Sequence, residues 1–290
     1  MALTHFSVGD IIRVTDMNNI IDEVNEKVDV ENSAAAHNCL YRGKDLTNVY
    51  TLDALSSKIQ ANDWTDLFIG DYIDMTMTST VGGTEKVRWM FAGFDYYMNR
   101  GDTAFTKHHI VMVPEDAFQT LHQMNSSDTT NGGYQSSAMR GTVLPSYENA
   151  ISASSAFGSH VATFRELRSN TMNSSIASGA GAGWMGASTD WAWYDSRLML
   201  LSEAMVYGCR VLSSSLYDVG AKNQQLPLFR LAPDRLVCGH GFQKSKSSRY
   251  SWWLSGVAGA SAFCRVSGNG DSSGSRASSS GGVRPAFLFV

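Results

Sequence analysis

The C-terminal stretch of this chain sets a hard apolar frame around small side chains. Trp252, Trp253 and Leu254 lead through a Gly/Ser-rich run to GGVRPAFLFV at 281–290. Of the 15 residues 268–282, 11 are Gly or Ser, which cannot fill a core. Trp252, Trp253, Phe263, Phe287 and Phe289 are the residue types that close a domain, and they are expected as core positions on strands. Arg284, beside Pro285, is expected as a structural ion-pair partner. The pattern predicts a rigid scaffold that presents a replaceable surface.

With 290 residues, 43% hydrophobic and 11% aromatic, the chain can bury a substantial core. Charged residues make up only 17%, so the surface draws on Ser, Thr, Asn and Gly, which suits a protein working in an assembly or at an interface. A net charge of -4 provides no basic footprint, and nucleic-acid binding is not expected. No apolar run reaches the ~18 residues of a membrane span, so no membrane insertion is expected. The opening MALTHFSVGD lacks the basic-then-apolar pattern of a signal peptide, which predicts synthesis in the cytoplasm and release by lysis. Cys39, Cys209, Cys238 and Cys264 stand far apart with no C-x-x-C pair, which predicts buried free thiols.

Met17, Ile21, Val24 and Val28 recur as a heptad seam behind a cap at Thr15 or Asp16, predicting an N-terminal helix for oligomerisation or attachment within 1–37. A single amphipathic helix packed on its own domain would give the same pattern. The small-residue ENSAAAHN at 31–38 reads as a linker, and one globular region follows over 38–290. Thr51 caps a short helix carrying Leu52, Leu55 and Ile59. Strands are expected at 67–78, 87–95 and 108–114, with a hairpin turn at 81–86 between the first two. A mainly helical stretch over 136–157, interrupted near Pro145, precedes a strand at 161–168. A Gly/Ala/Ser-rich surface loop is expected at 174–190, and core segments at 191–208. The tail supplies strands near 250–254, 261–267 and 282–289. This order of helices and antiparallel strands indicates an α+β domain.

No recognisable catalytic motif occurs in the sequence, and no enzymatic activity is expected. His108 and His109 are adjacent, so on a strand they face opposite sides and cannot share a metal. His5, His37, His122, His160 and His240 show no ligand spacing, and no metal or cofactor is expected. GAGAG at 179–183 does not complete a dinucleotide fingerprint, and no nucleophile elbow, P-loop or kinase signature occurs. These absences point to a binding protein.

RLMLLSEAMVYG, then WWL, then GVRPAFLFV resembles the C-type-lectin-like domain family of bacteria and their phages. The matching positions are Leu200, Leu201, Ser202, Glu203, Tyr207, Trp252, Trp253, Leu254, Gly282, Val283, Arg284, Pro285 and Ala286. The upstream runs LFIGDYIDM, VRWMFAGFDYY and HHIVMVP are similar to the family's opening strands, so the resemblance covers roughly residues 40–290. One departure is Ser255, where the family usually has Arg. The resemblance implies a C-type-lectin-like fold with mixed, mainly antiparallel sheets.

Within that family the chain is similar to the retroelement-diversified receptor-binding (tropism determinant) proteins of phages. There, asparagine codons randomised at adenines can never yield Glu, Lys, Gln, Met or Trp. None of those five occurs among the 36 residues 255–290, although they make up 43 of the 290 and about five would fall there at uniform composition. A plain Gly/Ser loop would also lack them. The resemblance implies a variable region at about 245–281, with ligand contacts at Ser247, Ser248, Arg249, Tyr250, Ser255, Val257, Ala258, Ser261, Arg265, Asn269 and Asp271. Arg249, Tyr250 and Arg265 are the expected anchors. It further implies a virion protein of the phage tail, a homotrimer, whose partners are other tail proteins and a host cell-surface protein or polysaccharide. The acidic cluster of a calcium site is missing, so calcium-independent recognition is expected. The alternatives are a formylglycine-generating-type oxidase, which needs a reactive cysteine pair, and a decoration protein of the virion that binds no receptor.

Overall fold

The computed structural model describes residues 32–171, 190–213, 224–238 and 249–290. The expected N-terminal helix, most of the Gly/Ala/Ser run at 174–190, and Ser247 and Ser248 lie outside these residues.

The 31–38 stretch, expected as a linker, packs on the domain where it is described. Ser33 caps the short helix α1 (Ala34–His37), its Oγ accepting from Ala36 N at 3.2 Å. His37 is buried, and its Nδ1 donates to Leu67 O at 2.6 Å. The reason is local: Ser at the cap starts a turn that the alanines tolerate, and His37 finds both a carbonyl and the Phe68 ring, 5.0 Å away. α2 (Leu52–Gln60) follows behind its expected cap, with Thr51 Oγ1 accepting from Ala54 N at 3.1 Å. Leu55 and Ile59, four apart, bury its inner face.

β1 (Tyr72–Ser79), β2 (Gly83–Phe94) and β3 (Ile110–Pro114) pair antiparallel in succession. Alternation sets the register of the first pair: Ile73, Met77, Val87 and Trp89 turn inward, while Thr76, Thr78, Thr84 and Lys86 face solvent. The expected helical stretch comprises a π-helical turn (Met139–Val143) and α3 (Leu144–Ile151), with Pro145 in the first turn of α3, where its missing N–H costs nothing. β4 (Phe164–Thr171) and β5 (Asp190–Ser196) form a separate antiparallel ribbon. β6 (Met199–Leu200), α4 (Glu203–Tyr207) and α5 (Pro227–Leu231) then lead to the tail.

The tail forms a three-stranded antiparallel sheet of β7 (Trp252–Gly259), β8 (Ala262–Val266) and β9 (Ser272–Arg276), followed by β10 (Pro285–Phe289). β10 is not at an edge. It lies between β3 and β6 in a five-stranded sheet of order β1-β2-β3-β10-β6. Its unbroken apolar run suits that place, since a strand covered on both faces needs no alternation. Phe287 meets Trp89 edge-on at 5.0 Å, and Phe118 and Phe157 complete the cluster at 6.0 and 5.9 Å from the same ring. Such pairs contribute about 0.5–1.5 kcal/mol each beyond their buried area. The described chain is therefore a mixed α+β fold of mostly antiparallel sheets with few, short helices.

Candidate functional site

The frame of the tail is held by its aromatic nitrogens and by one buried arginine. Trp252 stacks on Phe229 at 6.2 Å and donates through Nε1 to Leu236 O at 3.1 Å. Arg284 is completely buried, with its guanidinium 5.0 Å from the Trp252 ring centre and 5.4 Å from that of Phe229. It forms no ion pair with a described residue, contrary to expectation. Instead, Nε donates to Pro114 O at 2.9 Å and Nη1 to Arg235 O at 2.6 Å. Two carbonyls and two ring faces take the place of a carboxylate, and burial lowers the pKa of Arg284 below the ordinary arginine value.

Trp253 donates through Nε1 to His122 O at 2.8 Å, while His122 and Gly281 exchange backbone hydrogen bonds at 3.0 Å each way. The glycine pair is a steric requirement. A Cβ at Gly281 would lie 2.7 Å from Trp253 Nε1, and one at Gly282 would lie 2.6 Å from Ala117 Cβ. Gly282 O also accepts from Trp253 N at 2.9 Å, and Ser255 N donates to Leu201 O at 2.9 Å, so β7 is tied to the main sheet at two points.

Two carboxylates clamp the small-residue part. Glu203 is 1% exposed and accepts from the backbone N–H groups of Val211, Leu212 and Ser213 at 2.7–3.1 Å, and from Ser272 Oγ at 2.6 Å. Among the described residues no Lys or Arg pairs with it, so these donors offset its desolvation. Cys264 is packed against it, and burial together with this carboxylate raises the thiol pKa. At the other end, Asp128 accepts from Ser278 Oγ at 2.6 Å, Ser278 N at 3.2 Å and Arg276 Nη1 at 3.4 Å. Nearby, Thr130 Oγ1 donates to Gly259 O at 2.8 Å.

Against this frame the expected contact residues separate. Arg249, Asn269 and Asp271 are exposed around the turn after β8, where Arg249 Nη1 donates to Asn269 Oδ1 at 3.4 Å, and half-buried Tyr250 adjoins them. Arg265 is half-buried in the middle of β8, opposite Trp253 and Ser273. Ser255 and Ser261 are half-buried, Ser255 on β7 and Ser261 at the far hairpin. Val257 and Ala258, expected as contacts, are 2% and 0% exposed, because the irregular register of β7 near Val257 turns both inward. They belong to the frame. β9 lies in the Gly/Ser-rich run, where the sequence pattern predicts no strand and no contact at half-exposed Ser273 and Ser275 or exposed Arg276. Their sequence carries no apolar alternation, and only the pairing to β8 makes them a strand.

Cys238 and Cys264 are buried free thiols as expected, but Cys39 and Cys209 are exposed. Burial pushes Cys238 up to about 11. His109 is buried and His108 half-buried, and both lie at Asp95, with His108 Nδ1 donating to Oδ2 at 2.7 Å. Among the described residues no group of three His, Cys, Asp or Glu is placed to hold a metal ion, and no helix is long and apolar enough to cross a membrane. These features define an α+β domain whose tail sheet is fixed from within and bears small polar side chains outside. No family model matches the chain, no curated protein matches it, and no solved structure matches it.

Proposed function

We propose that the chain is a tail-associated receptor-binding protein of a phage virion, presenting a diversified surface on a C-type-lectin-like scaffold. The observation that carries this reading is the division of labour within the tail. Trp252, Trp253, Arg284 and the glycine pair fix the main chain through contacts that do not involve Arg249, Asn269, Asp271, Ser273 or Ser275. Those outward positions can change without rebuilding the backbone, and a surface ordered before contact loses less entropy on binding. The heptad seam at Met17, Ile21, Val24 and Val28 would join three copies, and avidity would offset weak single sites. The oxidase alternative has less support, since burial disfavours the thiolates of Cys238 and Cys264.

The test is adsorption. Replacing Arg249, Tyr250 and Arg265 together with Ala should abolish attachment of the purified protein to host cells while leaving its melting temperature within a few degrees. Unchanged attachment would move the binding site away from the tail. Diversification has its own check: a near-copy of the 3′ coding segment, differing at adenines, should lie beside a reverse-transcriptase gene in the source genome.

A further inference from the structure

β1 is the outer strand of the five-stranded sheet, and only the ends of its free edge are covered. The N–H of Tyr72 donates to Lys44 O at 3.0 Å, and its carbonyl accepts from Leu46 N at 2.9 Å. Asp74 N donates to Thr47 Oγ1 at 2.9 Å, and past the strand's far end Thr80 N donates to Ser146 Oγ at 3.0 Å. Edge-facing groups alternate along a strand, so the carbonyl of Asp74 and both backbone groups of Thr76 and Thr78 point the same way. Among the described residues nothing bonds to them, and Thr76 and Thr78 are exposed. A bulge, a proline or a free charge ordinarily blunts a sheet edge. This part of β1 has none: its register with β2 is unbroken from Tyr72 to Ser79, and its one charge, Asp74, is held by Lys86 at 3.2 Å and Arg88 at 2.9 Å.

At the Asp74 end the edge opens into a cleft of about 460 Å³ between β1 and the 47–52 loop, with Val49, Tyr50, Leu52, Ile73 and Met75 as its apolar walls. Val49 is 50% exposed there, one of the few large hydrophobic side chains on the surface. An extended backbone laid along the edge at the strand spacing of ~4.8 Å would complete the ladder, and a side chain on its inward face beside Met75 would enter the cleft. A second copy of this chain supplies the backbone but not the side chain. Paired two-fold on itself, β1 offers Ile73, Met77 or Ser79 from its inward face, and these are 3%, 3% and 5% exposed, committed to their own core. The fitting occupant is a strand-forming segment of another protein with an apolar residue free to project.

We infer that the open edge of β1 and the adjoining cleft form a docking site for an extended, uncharged peptide segment of a partner protein. Main-chain hydrogen bonds from Asp74 to Thr78 hold the segment, and one apolar side chain fills the cleft. The site uses no residue of the tail and does not rest on the receptor-binding reading. The experiment titrates the full chain with a capped peptide of about nine residues, alternating threonine and valine around a central leucine. Two counterparts carry aspartate at the centre or backbone N-methyl groups through the middle. Wild type should bind the leucine peptide and lose about tenfold or more with either counterpart, since one removes the apolar contact and the other the main-chain bonds. Thr76→Pro deletes an edge donor at a place where an edge strand accepts proline, and Val49→Asp puts a charge in the cleft; each should weaken binding about tenfold. Melting curves establish that both variants fold; should T76P not fold, V49D, at an exposed position, carries the comparison. Hydrogen exchange should find the Thr76 and Thr78 amides open in the free protein and slowed by the peptide. No binding of the leucine peptide, equal binding of the methylated one, or unchanged affinity of the folded variants overturns the inference. Protection of Thr76 and Thr78 without peptide also overturns it: protection lost on dilution gives the edge to a second copy, and protection that survives dilution gives it to a segment of the same chain.

Discussion

Ser272 Oγ donates a 2.6 Å hydrogen bond to Oε1 of Glu203, joining the tail sheet to the start of α4 across 69 residues of sequence. The same carboxylate holds the backbone of Val211, Leu212 and Ser213, so one buried group fixes two segments far apart in sequence. Glu203→Ala leaves those donors unpaired and should destabilise the protein by about 3 kcal/mol or more. Ser272→Ala should cost about 1–2 kcal/mol. Urea unfolding of both single variants and the double variant measures the coupling; additive losses would mean that the bond contributes nothing. Ser272 is therefore expected to stay Ser even where its neighbours vary.

Gly281→Ala places a methyl group 2.7 Å from Trp253 Nε1, inside contact distance. Either the indole gives up its bond to His122 O or the strand shifts, and a loss of about 2–3 kcal/mol is expected. Exposed Ser280, one residue away, should accept Ala within about 0.5 kcal/mol. Thermal melting of the two variants side by side distinguishes this local steric demand from a general intolerance of the turn.

Much of this arrangement was legible in the sequence, and the failures have physical causes. Thr51, the alternating β1–β2 pair and the apolar β10 announce themselves because propensity, period and burial agree there. β9 did not, since Ser-Ser-Gly-Ser-Arg has neither strand propensity nor an apolar face and is a strand only because β8 supplies its partner. Val257 and Ala258 read as surface because the register irregularities in β7 cannot be seen in a short run of small residues. The buried position of Arg284 was also hidden, since its partners are carbonyls at Pro114 and Arg235, far off in sequence.

The four cysteines should divide evenly in reactivity. Cys39 and Cys209 are exposed, whereas Cys238 and Cys264 are buried with their thiols raised by desolvation. Titration of the native protein with a chromogenic disulfide at pH 8 should modify two thiols promptly, and the remaining two only after denaturant is added. Mass mapping should assign the fast pair to Cys39 and Cys209. Prompt reaction of Cys264 would show that the Glu203 region opens readily.

Glu85 sets a pH dependence of stability. It is 4% exposed, Oε2 accepts from Gln119 N at 3.0 Å, and Oε1 has no partner. Among the described residues no cation compensates it, and its charge is felt by the buried phenol of Tyr147, whose own pKa is raised. Burial pushes the Glu85 carboxyl from its ordinary 4.5 up to about 7. The folded state thus holds the proton over a range in which the unfolded chain has released it. Stability from this group is fully present below about pH 4.5, falls as pH rises toward 7, and is flat above, with a total change of roughly 3 kcal/mol. Glu85→Gln keeps the neutral form at every pH and should remove this slope, leaving the variant more stable than wild type at pH 8. Urea unfolding from pH 4.5 to 8 on both proteins measures it, and parallel curves would show that Glu85 does not carry the proton.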